Sequence, residues 1–248
     1  MALIRCDFFS HTLRLQTSMT VVLPQDEAGG TDVPVLYLLH GLSEDDSAWS
    51  RCSSIERYAT DRGIAVVMPA GHRSFYADQA HGLPFWTFLS QELPRAVHSM
   101  FKVSGQRERT FVAGTSMGGY GAMKWAMRDP QRFAAAASLS GVLGLRYPDP
   151  GMPDEIRETL DLVFDGREIS GTDDDTMHLL ATADATTLPR LLVACGQQEG
   201  LLQQSQDFAA LAQQRGIDVT TDFPDGGHDW ANWDLQIQRV LDWMLARG

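Results

Sequence analysis

Apolar and polar residues alternate along the start of the chain: Phe8-Phe9, then Leu13-Arg14-Leu15, then Thr20-Val21-Val22-Leu23. A period of two marks strands with one solvated face and predicts an antiparallel N-terminal strand pair. Residues 25–32 carry Gly29-Gly30 and read as a loop. The pattern then changes to short, solid apolar runs at 35–39, 64–68, 110–113, 135–139 and 191–195, with a weaker one at 219–223. Strands this uniformly apolar are covered on both faces, as in a parallel sheet flanked by helices. Helical spacing fills the gaps. Residues 54–60 form a short helix, and Trp86, Leu89, Leu93, Val97 and Phe101 recur every three or four residues. Pro94 is expected to kink that helix. Residues 117–127, 202–214 and 235–246 also fit helices.

Strand and helix in alternation predict an α/β fold with a mostly parallel central sheet and helices on both faces. The 248 residues are expected to form a single domain, 1–248. Residues 146–189 break the rhythm. They hold Pro148-Asp149-Pro150-Gly151-Met152-Pro153, a helical pattern over 154–164 and the acidic run Asp173-Asp174-Asp175. Such an excursion between two sheet strands reads either as a lid or pocket wall or as a solvated surface insertion.

Composition narrows the partners. Lys and Arg total 20 against 32 Asp and Glu, a formal charge of −12. That balance argues against a nucleic-acid backbone or an anionic membrane as partner. No apolar stretch is long enough for a membrane span, and the N-terminus lacks the pattern of a secretory signal, so a cytoplasmic location is expected. Cys6, Cys52 and Cys195 are odd in number and widely spaced, which predicts reduced thiols rather than a disulfide framework or structural zinc.

The chemistry concentrates around Gly114-Thr115-Ser116-Met117-Gly118. An apolar strand precedes this Gly-x-Ser-x-Gly and a helical run follows it, the strand–turn–helix setting of a nucleophile elbow. A sharp turn leaves no room for Cβ atoms beside the serine, which the two glycines satisfy. The same residues would also fit a glycine-rich helix start capped by its serine. A serine hydroxyl needs a neighbouring base, and on such a fold the partners follow in the order Ser, acid, His. Only His178 and His228 follow Ser116. His228 lies in a turn-rich loop between the last strand and the last helix, and His178 in the irregular excursion, so His228 is the candidate base. Glu199, just after the 191–195 strand, is the candidate acid; Asp207, Asp222 and Asp225 compete with it. Acyl chemistry also needs donors aimed at the developing oxyanion. The N–H groups of Met117 and of Leu42, in the loop His40-Gly41-Leu42-Ser43, are the candidates. His40 reads as a brace for that loop.

Taken in order, several segments resemble the esterase D (putative esterase) family of the α/β-hydrolase fold, most closely its short tributyrin-esterase-like carboxylesterases. These segments are Val35-Leu36-Tyr37-Leu38-Leu39-His40-Gly41-Leu42-Ser43, Ser47-Ala48-Trp49, Phe75-Tyr76-Ala77-Asp78, Gly114–Gly121, Ser138-Leu139-Ser140-Gly141, Cys195–Glu199 and Gly227–Trp233. The resemblance covers most of the chain. It implies Ser116 and His228 as nucleophile and base, Leu42 and Met117 as oxyanion donors, and Glu199 where the family usually has Asp. It further implies hydrolysis of short-chain acyl esters through an acyl-enzyme, without metal or organic cofactor, and suggests a homodimer. An acyltransferase or an S-formylglutathione-type thioesterase could use the same three residues, and a non-catalytic binding module is a third reading of the fold. Trp49, Phe75, Tyr76 and Trp86 are candidates for the pocket wall, or else core aromatics.

Overall fold

Every residue of the run Val35–Leu39 is fully buried, and its alternate side chains feed two separate cores. Val35, Tyr37 and Leu39 enter one, Leu36 and Leu38 the other. This is how a solid apolar strand acts in the middle of a covered sheet. The computed structural model describes residues 1–25 and 32–246; most of the expected loop at 25–32 lies outside the described residues. Among the described residues the sheet has eight strands: β1 (Ala2–Ser10), β2 (Leu15–Leu23), β3 (Val35–Leu39), β4 (Ala65–Pro69), β5 (Thr110–Thr115), β6 (Ala135–Leu139), β7 (Arg190–Ala194) and β8 (Val219–Asp222). Their order is β1-β2-β4-β3-β5-β6-β7-β8. β1 pairs antiparallel with β2 and β2 with β4, and the other pairings are parallel. The expected α/β architecture, with its antiparallel N-terminal pair, is what the chain adopts.

The helices are α1 (Ala48–Cys52), α2 (Ile55–Asp61), α3 (Phe85–Thr87), α4 (Leu93–Met100), α5 (Met117–Arg128), α6 (Asp154–Phe164), α7 (Thr176–Thr182), α8 (Leu202–Gln214) and α9 (Trp230–Leu245). α4, α5 and α8 pack on one face of the sheet, α2 and α9 on the other. The helix expected over 86–101 is split. α3 runs through a single π-helical segment, Phe88–Glu92, into α4 with Pro94 in its first turn. Proline has no N–H for the Ser90 carbonyl four residues back, and the Arg132 guanidinium takes that carbonyl instead at 3.4 Å. α9 starts five residues before the expected 235, because Asp229 caps it by accepting the Asn232 N–H at 3.0 Å.

Register places the chemistry. Leu39, Gly114, Ser138, Val193 and Thr221 pair successively across the parallel strands. The residues that follow, His40, Ser116, Ser140, Glu199 and His228, therefore all emerge at the same edge of the sheet, the carboxyl edge where open α/β sheets place their sites.

Two carboxylates of the acidic run in 146–189 pair with α5. Asp173 pairs with Arg128 at 3.1 Å, and Asp174 with Lys124 at 3.0 Å. Asp175 caps α7 by accepting the His178 N–H. Lys124 and Tyr120 lie on α5, directly after the elbow, and the Tyr120 hydroxyl donates to the Asp174 carbonyl at 2.7 Å. The Lys124 side chain has no exposed surface, and burial pulls its ammonium down to about 8 against the opposing pull of Asp174. A folded-state value below the unfolded one, about 10.4, means the unfolded chain holds more protons between these values, so this group's contribution to stability rises with pH there. The difference in unfolding free energy between wild type and Lys124→Met, followed by urea titration, is expected to move in favour of wild type by about 1–2 kcal/mol from pH 8 to pH 10. A difference independent of pH would contradict this.

Candidate active site

Ser116 sits at the tip of the β5–α5 turn with φ 54° and ψ −117°, a left-handed conformation that L residues avoid. It persists because both neighbours in the motif are glycine. A Cβ on Gly114 would overlap the Gly118 carbonyl, and one on Gly118 would overlap the Leu39 carbonyl of β3. The turn is thus pressed between two strands, and the Ser116 N–H is fixed to the Leu139 carbonyl at 2.9 Å. The hydroxyl is left half-buried, with His228 Nε2 3.1 Å away. His228 Nδ1 donates to Glu199 Oε2 at 2.8 Å. The structure thus brings Ser116, His228 and Glu199 into one hydrogen-bonded chain. His178 lies on α7, with its backbone N–H bonded to Asp175. Asp222 pairs with Arg239, Asp207 with Gln203, and Asp225 faces Gln198.

Glu199 has no exposed side-chain surface, whereas His228 is 40% exposed. The buried carboxylate is fully engaged. Besides His228, it accepts the Ser140 hydroxyl at 2.7 Å, the Gly196 N–H at 2.8 Å and the Asn232 amide at 3.4 Å. Burial alone would raise its carboxyl; the bonds from His228, Ser140 and Gly196 outweigh burial and hold it below the ordinary range. The acid and histidine loops are also bonded to each other, Gln197 N–H to the Pro224 carbonyl and Gln198 N–H to the Gly226 carbonyl. Ser140 is the residue whose part here sequence reasoning missed. Its φ of 52° turns the hydroxyl under the acid, where it also accepts the Trp233 indole N–H at 3.0 Å. The available signal was Ser140-Gly141 directly after an apolar strand that ends at the same edge.

His40 is bonded on both ring nitrogens. It accepts the Gly71 N–H on Nε2 at 2.8 Å, so the ring proton is on Nδ1, which donates to the Gly41 carbonyl at 2.7 Å. Burial lowers its basicity and keeps this neutral tautomer. C=O and N–H oppose each other in a trans peptide, so fixing the Gly41 carbonyl also fixes the direction of the Leu42 N–H. Among the described residues, neither the Leu42 nor the Met117 N–H is taken up by a backbone acceptor outside its helix. Trp49 and Tyr76, expected as pocket wall, are buried behind this loop. Their polar atoms hold it from the rear, Trp49 at the Leu39 carbonyl and Tyr76 at the His40 carbonyl. Phe75 is likewise core, edge-on to Tyr120. Trp86 lines a different cavity, with Arg128 4.1 Å above its ring. The cavity that opens beside Leu42, about 550 Å³, is walled by Glu44, His72, Phe85 and, from α6, Thr159 and Leu162. Among the described residues no cluster of three or more His, Cys, Asp or Glu side chains is placed to hold a metal ion.

Residues 10–244 match the family described as putative esterase. The chain belongs to this family. As an esterase it is a serine hydrolase of carboxylic esters. It is 29% identical over 262 residues to the acetyl esterase of Caldicellulosiruptor saccharolyticus, with 98% of each chain covered. The solved structure of FphF, a fluorophosphonate-binding serine hydrolase of Staphylococcus aureus, superposes with a TM-score of 0.90 at 32% identity, covering 99% of both chains. The S-formylglutathione hydrolase FrmB of the same organism gives 0.85 at 33% identity, covering 98% of both. No helix of the esterase, among the described residues, is long and apolar enough to cross a membrane.

The Glu199 carboxyl, held below its unfolded value of about 4.3, stabilises the fold fully above that value and loses this contribution as pH falls through the folded value. Ser140→Ala removes one of the bonds that hold it down. The acid-unfolding midpoint, read by tryptophan fluorescence, should therefore move to higher pH; an unmoved midpoint would show that this bond does not stabilise the carboxylate.

Proposed function

We propose that the esterase hydrolyses short-chain acyl esters, acetyl-like in size, through an acyl-enzyme on Ser116. His228 takes the hydroxyl proton as the oxygen attacks the ester carbonyl, and then delivers it to the departing alcohol. Water, activated by the same ring, releases the acid. Glu199 accepts the Nδ1–H, holds the ring in the tautomer that leaves Nε2 free as base, and stabilises the imidazolium when it forms. The Met117 and Leu42 N–H groups stabilise the tetrahedral oxyanion. The observation that carries this reading is the unbroken hydrogen-bond chain from Ser116 Oγ to a fully buried, fully donated carboxylate.

The acyl or alcohol portion occupies the cavity beside Leu42, with α6 of the 146–189 excursion as its far wall. Its volume suits a small ester. The likeness to an acetyl esterase favours the acetyl-sized acyl group. The likeness to an S-formylglutathione hydrolase favours a second reading, thioester hydrolysis by the same three residues. Comparing kcat/KM for acetate, butyrate and octanoate p-nitrophenyl esters with that for S-formylglutathione separates the two. With p-nitrophenyl acetate, Ser116→Ala should lower kcat by about 10⁴–10⁶, and Glu199→Gln by about 10³–10⁴, because the amide can present its N–H to the ring and favour the wrong tautomer. Undiminished turnover in either variant overturns the assignment of that residue.

A further inference from the structure

Close to Ser116 stands an acidic side chain that has no place in the relay. Glu44 follows the Gly41–Leu42 peptide by two residues, and its Oε2 accepts the Gly41 N–H at 2.6 Å. A methyl group built on Gly41 would lie 3.1 Å from a Glu44 carboxylate oxygen and 3.6 Å from Ser116 Cβ, so carboxylate and nucleophile flank the same point. Glu44 also lines the cavity beside Leu42. Burial holds its carboxyl above the ordinary carboxylate range, against the opposing pull of the Gly41 N–H, the nearby Trp230 indole and the His228 ring. Its hydrogen-bond donor, the Gly41 N–H, is neutral, and among the described residues Glu44 makes no salt bridge with a Lys or Arg side chain. The arginine of the same cavity, Arg73, is occupied by Glu155 at 3.2 Å and by Thr159 at 2.7 Å, and His72 lies against Phe85 with ring centroids 5.5 Å apart. Trp230 is half-buried and held edge-on between Trp49 and Trp233, with centroids 5.0 and 5.2 Å away.

A partly desolvated carboxylate without a counter-ion, beside a tryptophan, is the chemistry that attracts an organic cation. We propose that Glu44 is a specificity-determining residue: it makes the site favour esters whose alcohol portion carries an ammonium group and disfavour those carrying a carboxylate or sulfonate. The proposal rests on the esterase reading of Ser116 and names the substrate class of that site. A cation about 6 Å from the carboxylate, at an effective dielectric constant of about 40, gains roughly tenfold in binding.

The test uses three acetate esters of similar shape and different charge: acetylcholine, its neutral isostere 3,3-dimethylbutyl acetate, and 2-sulfoethyl acetate. For wild type, kcat/KM should fall in that order, by about tenfold from the first to the second, and the ratio should shrink in 0.5 M salt. Glu44→Gln should bring the ratio close to one, and Glu44→Asp should retain a preference for the cation. A wild-type ratio near one, or a cation preference that persists in Glu44→Gln, overturns the proposal. If wild type hydrolyses p-nitrophenyl acetate yet shows no charge preference, charge selection fails and the esterase reading stands. If it hydrolyses none of these esters, both fail. The wild-type ratio and its salt dependence decide the matter even if a variant does not fold.

Discussion

The candidate site depends on one hydrogen bond, the 2.8 Å contact between His228 Nδ1 and the buried carboxylate of Glu199. Burying an ionised carboxylate is costly unless its lone pairs are filled. Here Ser140, Gly196, Asn232 and His228 fill them. A carboxylate so fixed can orient an imidazole that is itself 40% exposed. Without it, Ser116 would face a ring of undefined tautomer.

The fold supplies this bond through register. Parallel pairing of β3, β5, β6, β7 and β8 aligns their ends, so five loops meet at one edge although their residues span 40 to 228 in the chain. Two kinds of reinforcement then act at a distance. The acid and histidine loops are bonded backbone to backbone, which holds the segments of Glu199 and His228 against each other. Behind the nucleophile, the Lys124–Asp174 pair and the Tyr120 hydroxyl tie the 146–189 excursion to α5. The excursion is thereby fixed to the helix that begins directly after Ser116.

Much of this was legible in the sequence, and the remainder was hidden for physical reasons. The period-two N-terminus, the solid apolar runs and the Gly114–Gly118 spacing are local signals, and each stands where its spacing puts it. The order Ser116, Glu199, His228 was readable because the topology of such a sheet restricts which loops can meet. Ser140 was not, because its importance lies in a partner 59 residues away. For Trp49 and Tyr76 the sequence left pocket wall and core both open, because a large aromatic side chain has the same sequence signature on either side of a loop. Only the structure shows that their polar atoms hold the carbonyls of Leu39 and His40 from behind. The sequence left the 146–189 excursion open between a pocket wall and a surface insertion, because the cations that Asp173 and Asp174 meet, Arg128 and Lys124, come from α5, some 50 residues earlier. The start of α9 was missed because Asp229 is a cap only when the loop before it is held in place.

The most direct test of the relay is covalent labelling with a fluorophosphonate, followed by peptide mapping of the adduct and by labelling rates in wild type, His228→Ala and Glu199→Gln. The account predicts one adduct per chain, on Ser116, and a labelling rate about 10³-fold or more lower in both variants. An adduct on another residue, or labelling at the wild-type rate in either variant, would contradict it.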